Sequence, residues 1–250
     1  MKRHLALWFL TASLALLSLL ASVPALAADV SALLKAGDDA WLKRDDQAQL
    51  AKAVEAYEKA LAVDGENYDV LWRLARAYEW QGKLAKKDKL ALLEKGKACA
   101  EKALKVNERG ADGHYWLGAL IGRIGEARGI LNSLFMVKPM KAEMDRVVEL
   151  NPNYAAAHYV LSLLYWKVPG PPLSIGNKQK ALEEAKLAVK LEPANTQHRL
   201  GLGEAYLALK DKAAAKREFQ AVLAMPPTPD DPVQSALDRE DAQNYLADLK

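Results

Sequence analysis

The chain has 250 residues, 51% hydrophobic, 27% charged and 7% aromatic, with 14 Gly, 11 Pro, one Cys and a formal net charge of +3. These totals exclude collagen, an intrinsically disordered chain and a disulfide-stapled mini-protein. A charge so nearly balanced argues against nucleic acid as a partner, because its binding needs a concentrated basic surface.

The first element is an export signal. Lys2, Arg3 and His4 precede an apolar run from Leu5 to Leu20, and Pro24 precedes Ala25-Leu26-Ala27. This three-part layout predicts a secretory signal peptide over residues 1–27, cleaved before Ala28. The competing expectation is an uncleaved inner-membrane anchor, since Leu5 to Ala27 is long enough to span a bilayer. No Cys lies in the segment, so a lipid-anchored mature N-terminus is not expected. Cleavage leaves 33 basic against 32 acidic residues and no later stretch apolar enough to cross a membrane. The expected location is periplasmic or secreted, without membrane insertion after cleavage.

Five helical hairpins follow. The first is the loosest, with Gly37 in its first helix and Ala53, Tyr57 and Ala60-Leu61 in its second. Leu74-Ala75 and Tyr78 open the second, whose outer helix carries Ala103-Leu104. Leu117-Gly118 and Ile121 open the third, which closes on Met144, Val147 and Pro152. Leu161-Ser162 and Tyr165 open the fourth, which closes on Ala181, Ala185, Ala188 and Pro193. The fifth is the cleanest: Leu202-Gly203, Tyr206, Ala215, Phe219 and Pro227. Gly203 and Ala215 mark the crossing of two antiparallel helices, Tyr206 and Phe219 fill the space beside it, and Pro227 stops the second helix. Those intervals match the tetratricopeptide pattern Leu-Gly-x2-Tyr, Ala-x3-Phe and a closing Pro. The expected units are 31–66, 68–109, 111–153, 155–194 and 196–227, within a domain over 28–227. Their spacing exceeds the usual repeat because 79–95, 122–140 and 168–179 hold insertions. The first two are apolar enough to prolong helices, and the third is a Pro/Gly loop. Asp112 is expected to cap the third unit, and Asn153 and Asn195 the two after it. Asp231-Pro232 starts a capping helix within 228–250, with Asp238 to Asp241 on its solvent side. The fold class is all-α: a tetratricopeptide-type right-handed superhelix of about five hairpins plus that helix.

The third unit carries a more specific likeness. His114-Tyr115-Trp116-x-Gly118, the glycines at 122, 125 and 129, Val137-Lys138 and Asn151-Pro152-Asn153-Tyr154 resemble the domain shared by the regulator of microtubule dynamics family and the T component of tripartite ATP-independent periplasmic (TRAP) transporters. The resemblance extends more weakly over roughly residues 50 to 225. It implies a periplasmic transport accessory beside a solute-binding protein.

In tetratricopeptide repeats the concave wall comes from the first helix of each unit, at two residues before the motif Leu and one, four and five after the small residue. That register selects Leu34, Asp38, Trp41 and Leu42, then Trp72, Arg76, Glu79 and Trp80. It goes on to Tyr115, Ala119, Gly122 and Arg123, then Tyr159, Leu163, Trp166 and Lys167, then Leu200, Glu204, Leu207 and Ala208. Of these, Trp41, Trp72, Arg76, Trp80, Tyr115, Arg123, Tyr159, Trp166 and Lys167 are the candidate binding residues, because large aromatics on a wet surface mark recognition. Cations among aromatics suit a peptide carboxylate or an acidic organic molecule. Two outcomes compete with open binding: closure of the superhelix over the aromatics, and neutralisation of Arg76, Arg123 and Lys167 by Asp38, Glu79 and Glu204.

No catalytic constellation, phosphate loop or cofactor fingerprint is present. His114 and His158 hold equivalent places in neighbouring units and are expected to pack rather than bind metal. Met136, Met140 and Met144 share a helical face as core filler, the nearby glycines allow close packing, and Cys99 is a small buried hydrophobe. The leading reading is an exported, non-enzymatic scaffold for a protein or peptide partner. The alternatives are an accessory holding a small organic acid, and a structural assembly factor that forms homo-oligomers.

Overall fold

The computed structural model describes residues 29–249, so the expected signal peptide lies outside the described residues. Eleven helices occupy this span and, among the described residues, there is no strand. They are α1 (residues 29–41), α2 (Gln47–Val63), α3 (Tyr68–Leu84), α4 (Lys89–Val106), α5 (Ala111–Ala127), α6 (Ile130–Leu150), α7 (Ala155–Lys167), α8 (Lys178–Leu191), α9 (Thr196–Ala208), α10 (Lys212–Ala224) and α11 (Pro232–Asp248). Each helix packs against the next, and inner helices also meet at α3–α5, α7–α9 and α9–α11. This is the tetratricopeptide arrangement of antiparallel hairpins stacked in chain order.

Small residues set the hairpin crossings. A Cβ on Gly203 would stand 2.4 Å from the Phe219 ring, and one on Gly37 would stand 2.3 Å from Tyr57. Alanine at either place would have to displace a fully buried aromatic ring. The third hairpin uses the same device with methionine. Gly118, Gly122 and Gly125 face Met144, Met140 and Met136 in turn, at 2.4, 2.8 and 3.0 Å from the Cβ each glycine lacks. The glycines and the i, i+4 methionines are thus two halves of one interlock.

The insertions take two forms. α4 and α6 run to 18 and 21 residues against 13 for α9 and α10, so the apolar insertions do lengthen helices. Residues 168–177 form a loop. Asp46, Asn67, Asn177, Asn195, Asp211 and Asp231 cap their helices by accepting from backbone N–H groups of the first turn.

Three expectations about caps need correction. α5 begins behind Gly110, and Asp112 sits in its first turn, accepting from the Tyr154 hydroxyl at 2.8 Å. α7 begins behind Tyr154, so Asn153 caps nothing. The acidic side of α11 does not simply face solvent. Asp238 is 1% exposed, and Arg239 reaches back to the carbonyl oxygens of Leu223 and Met225.

α11 instead returns to the start of the molecule. Its Val233 and Leu237 join a core cluster with Val30, Trp41, Tyr57 and Trp80 of α1, α2 and α3. The solenoid therefore closes on itself, with the last helix against the first hairpins.

Candidate binding cavity

The inner helices and α11 surround a half-open central cavity of about 770 Å³. Its wall is built from the inner helices, with α11 completing it and Ser133, Met136, Val137 and Met140 of the long α6 reaching in. The closing contact is a buried cation. Arg44, 1% exposed, lies between two indoles, its guanidinium carbon 4.4 Å from the Trp41 ring centroid and 4.2 Å from that of Trp80. Its Nη2 donates to Asp231 at 2.5 Å, joining the α1–α2 turn to the N-cap of α11. An indole sandwich and a carboxylate together offset the desolvation of that charge.

Seven of the nine candidate residues line the cavity: Trp41, Arg76, Trp80, Tyr115, Arg123, Tyr159 and Lys167. Trp72 does not. Its ring stacks on Arg73 and Arg76, at 4.2 and 5.2 Å, and its Nε1 donates to Asp69 at 3.1 Å. Trp166 packs into the cluster between α6, α7 and α8. Of the other register positions, Glu79, Ala119, Gly122, Leu163, Leu200 and Glu204 line the cavity, whereas Leu34, Asp38, Leu42, Leu207 and Ala208 do not. The register succeeds for the central hairpins and fails mainly at the two ends.

Both competing outcomes are partly realised. Arg76 donates to Asp38 at 3.2 Å and to the Tyr57 hydroxyl at 3.1 Å, and Arg123 pairs with Glu79 at 2.6 Å. Lys167 makes no such pair. Glu204 accepts from the Tyr245 hydroxyl at 2.7 Å, and its burial raises its pKa. Among the described residues neither Lys83 nor Lys167 has an acid partner, although both line the cavity. Lys83 lies 4.3 Å from the Trp80 centroid, and partial burial lowers its pKa, Arg123 adding to that effect. The Trp80 Nε1–H and His198 Nδ1 are buried without a hydrogen-bond partner among the described residues. His198 Nδ1 does lie 3.5 Å from Glu192, beyond good hydrogen-bond geometry, and burial pushes its pKa down to about 4.

The opposite arc is acidic and hydroxylic. Thr196 Oγ1 donates to Asp238 at 2.6 Å, the Gln234 amide donates to the other Asp238 oxygen at 2.8 Å, and Ser235 sits 3.1 Å from Thr196. Burial pushes the Asp238 carboxyl up to about 6, and the carboxylates of Asp231 and Asp241 add to that. The register rule could not find Arg44, Lys83, His198 or Asp238. The first is in a turn, and the last is in a helix that the rule does not count. The spacing Ser235-x2-Asp238 beside apolar Val233 and Leu237 was the available signal.

The other polar candidates serve packing. His114 Nδ1 lies 2.7 Å from Glu143 and its Nε2 lies 2.9 Å from the Glu108 carbonyl oxygen; His158 repeats this with Glu184 and Pro152 at 2.7 and 3.0 Å. Arg199 with Glu218 takes the same place in the fifth unit. The bond from Glu184 raises the His158 pKa. Cys99 is half-buried between two core clusters, and burial pushes its thiol up to about 11. Among the described residues no group of three metal-ligating side chains comes together.

Residues 33–169 match the family model described as Regulator of microtubule dynamics protein 1-3, and residues 173–232 match one described as Tetratricopeptide repeat. The chain is 30% identical over 132 residues to Regulator of microtubule dynamics protein 3 of Rattus norvegicus, across 52% of this chain and 28% of that protein. It is 26% identical over 171 residues to Regulator of microtubule dynamics protein 1 of Mus musculus, across 61% of this chain and 55% of that one. The matches thus span between about a quarter and about half of these relatives' length. A thermophilic tetratricopeptide protein of Thermus thermophilus superposes with a TM-score of 0.66 at 18% identity, covering 86% of this chain and 99% of that one. The pilF protein of Pseudomonas aeruginosa gives 0.58 at 13% identity, covering 90% of each. At such identities these likenesses show the fold alone.

Proposed function

The chain belongs to the Regulator of microtubule dynamics protein 1-3 family, and from that premise we propose that it is a non-enzymatic scaffold whose inner face binds a protein or peptide partner. The observation that carries this reading is the aromatic cavity with cations lacking acid partners. Lys83 and Lys167 supply charge, the Trp80 Nε1–H supplies a donor, and Tyr115 and Tyr159 supply apolar surface. A chain terminus, with its carboxylate and flexible backbone, fits such a cavity better than a folded surface does.

A second reading is favoured by the closure itself. A half-open space of about 770 Å³ falls within the size range of small-molecule sites, roughly 300–1,000 Å³. An apolar organic acid would place its carboxylate between Lys83 and Lys167. The basic start and the Ala25-Leu26-Ala27 site support export, where the partner would be a periplasmic solute-binding protein, as the resemblance to TRAP T components implies.

Titration with C-terminal peptides and with small organic acids, followed by tryptophan fluorescence, separates the two. Trp41 and Trp80 report directly from the cavity. The scaffold reading expects a response to peptides that the Lys83→Met, Lys167→Met pair weakens at least about tenfold. A response to acids alone would replace it with the accessory reading, and no response to either would remove both. Sequencing the N-terminus of the exported protein tests localisation: Ala28 is expected, and an intact Met1 would count against cleavage.

A further inference from the structure

Stacked antiparallel hairpins gather their turns on two rims. The inner-to-outer turns lie on one rim and the connections to the next hairpin on the other. The two rims differ sharply in charge. The inner-to-outer turns with the helix ends beside them (42–46, 83–90, 127–138, 167–180 and 209–212) hold ten Lys or Arg against four Asp, leaving aside the buried Arg44 and the cavity-lining Lys83 and Lys167. The connections (64–67, 107–112, 151–154, 192–195 and 225–231) hold one Arg against seven Asp or Glu. The net charge of the whole chain conceals this separation.

The exposed large apolar side chains follow the same division. Leu84, Leu90, Ile130, Leu131, Leu134, Phe135 and Leu173 all stand on the basic rim, and only Val106 among the described residues stands on the acidic one. Ile130, Leu131 and Phe135 are 83%, 73% and 73% exposed, at the start of α6. The turns that carry these residues are neighbours. Arg128 reaches Glu94 of α4 at 2.7 Å, and Val168 and Ile175 of the α7–α8 loop pack with Val137 and Met140 of α6. The apolar residues thus form a strip across three consecutive hairpins, flanked by Lys86, Lys87, Lys138 and Lys178.

We infer that this rim docks on the surface of an anionic lipid bilayer. Exposed apolar side chains on a basic edge match the interfacial layer, where they enter the headgroup region while ammonium groups meet lipid phosphates. The cation type argues against a protein surface: nine of the ten are Lys, which protein interfaces deplete in favour of Arg. No described helix is long and apolar enough to cross a membrane, so the contact is peripheral.

Flotation of the full chain tests this, with vesicles of phosphatidylcholine alone and of equal parts phosphatidylcholine and phosphatidylglycerol. Wild type and Val106→Glu should float with the mixed vesicles, and less so in about 0.5 M salt, where screening is short-ranged. The pairs Leu131→Glu, Phe135→Glu and Lys86→Glu, Lys87→Glu should each lose at least about tenfold in partitioning. Any binding through residues 1–27 would be common to all variants. If either pair folds poorly by circular dichroism, the other decides. Equal partitioning of the variants and wild type, or equal binding to both vesicle types, would overturn the inference. So would a wild-type oligomer in light scattering that the Leu131→Glu, Phe135→Glu pair dissolves without lipid, because the strip would then join copies of the chain.

Discussion

The two walls of the cavity handle buried charge differently. On the wall made by α1, α3 and α5, each guanidinium has a carboxylate within 3.2 Å: Arg44 with Asp231, Arg76 with Asp38, Arg123 with Glu79. On the wall made by α9 and α11, the carboxylates of Glu204 and Asp238 take their hydrogen bonds from neutral hydroxyl and amide groups, and Lys167 and Lys83 act on them only at longer range. The first wall consists of ion pairs, of which Arg44–Asp231 joins the first hairpin to α11. The second consists of carboxyl groups that burial pushes upward, Asp238 to about 6.

Breaking the first wall should cost most. Asp231→Asn keeps a capping side chain for α11 but leaves the fully buried Arg44 without its carboxylate. Arg44 is buried but the Asp231 side chain is 38% exposed, so water offsets part of the lost pairing, and urea denaturation should show a loss of about 2–3 kcal/mol. A loss near zero would mean that the indole sandwich alone sustains the charge.

The second wall is tested through pH. Asp238 holds its proton up to about pH 6 in the fold, against 3.8 ordinarily, so the folded state binds more protons between those values and stability falls as pH rises through them. The full swing is about 3 kcal/mol at most, reduced by whatever water reaches the carboxyl. His198 acts oppositely. Its pKa of about 4 means the unfolded state binds more protons between 4 and 6.5, so stability rises with pH there. In wild type the two slopes offset each other. Asp238→Asn should expose the rising slope and His198→Gln the falling one, read as urea midpoints from pH 4 to 7. Parallel profiles for all three proteins would refute this assignment.

The smallest effect sharpens the comparison by contrast. Lys35 and Asp39 pair at 2.6 Å on α1, close in sequence to the Arg44 closure but with 75% and 62% of their side chains exposed. Lys35→Ala should change stability by no more than about 0.5 kcal/mol, since an exposed i, i+4 pair gains little over hydrated ions.

Much of the fold was legible because repeat geometry is local. Gly203 facing Phe219, the interlock of Gly118 and Gly122 with Met144 and Met140, and the structural roles of His114 and His158 all follow from residues within one hairpin. Their partners therefore lie at short, recurring separations. The caps were less legible. Asp112 and Asn153 are suitable residues by type, yet α5 begins one residue before Asp112, whose carboxylate accepts from Tyr154, and α7 begins behind Tyr154 rather than Asn153. Trp72 shows the limit of the register: it occupies an inner-face position, but Asp69, Arg73 and Arg76 hold its ring aside.

The sequence by itself determined that the chain forms stacked helical hairpins, because apolar and small residues recur at spacings that only such hairpins bury. It also determined which central side chains face inward. Only the tertiary structure decided that the solenoid closes, that Arg44 and Asp231 meet across 187 positions, and that α11 supplies a wall of the cavity. Local spacing sets how one hairpin packs on the next. Whether the last meets the first depends on the accumulated rotation of every step between them, and no single motif encodes that sum.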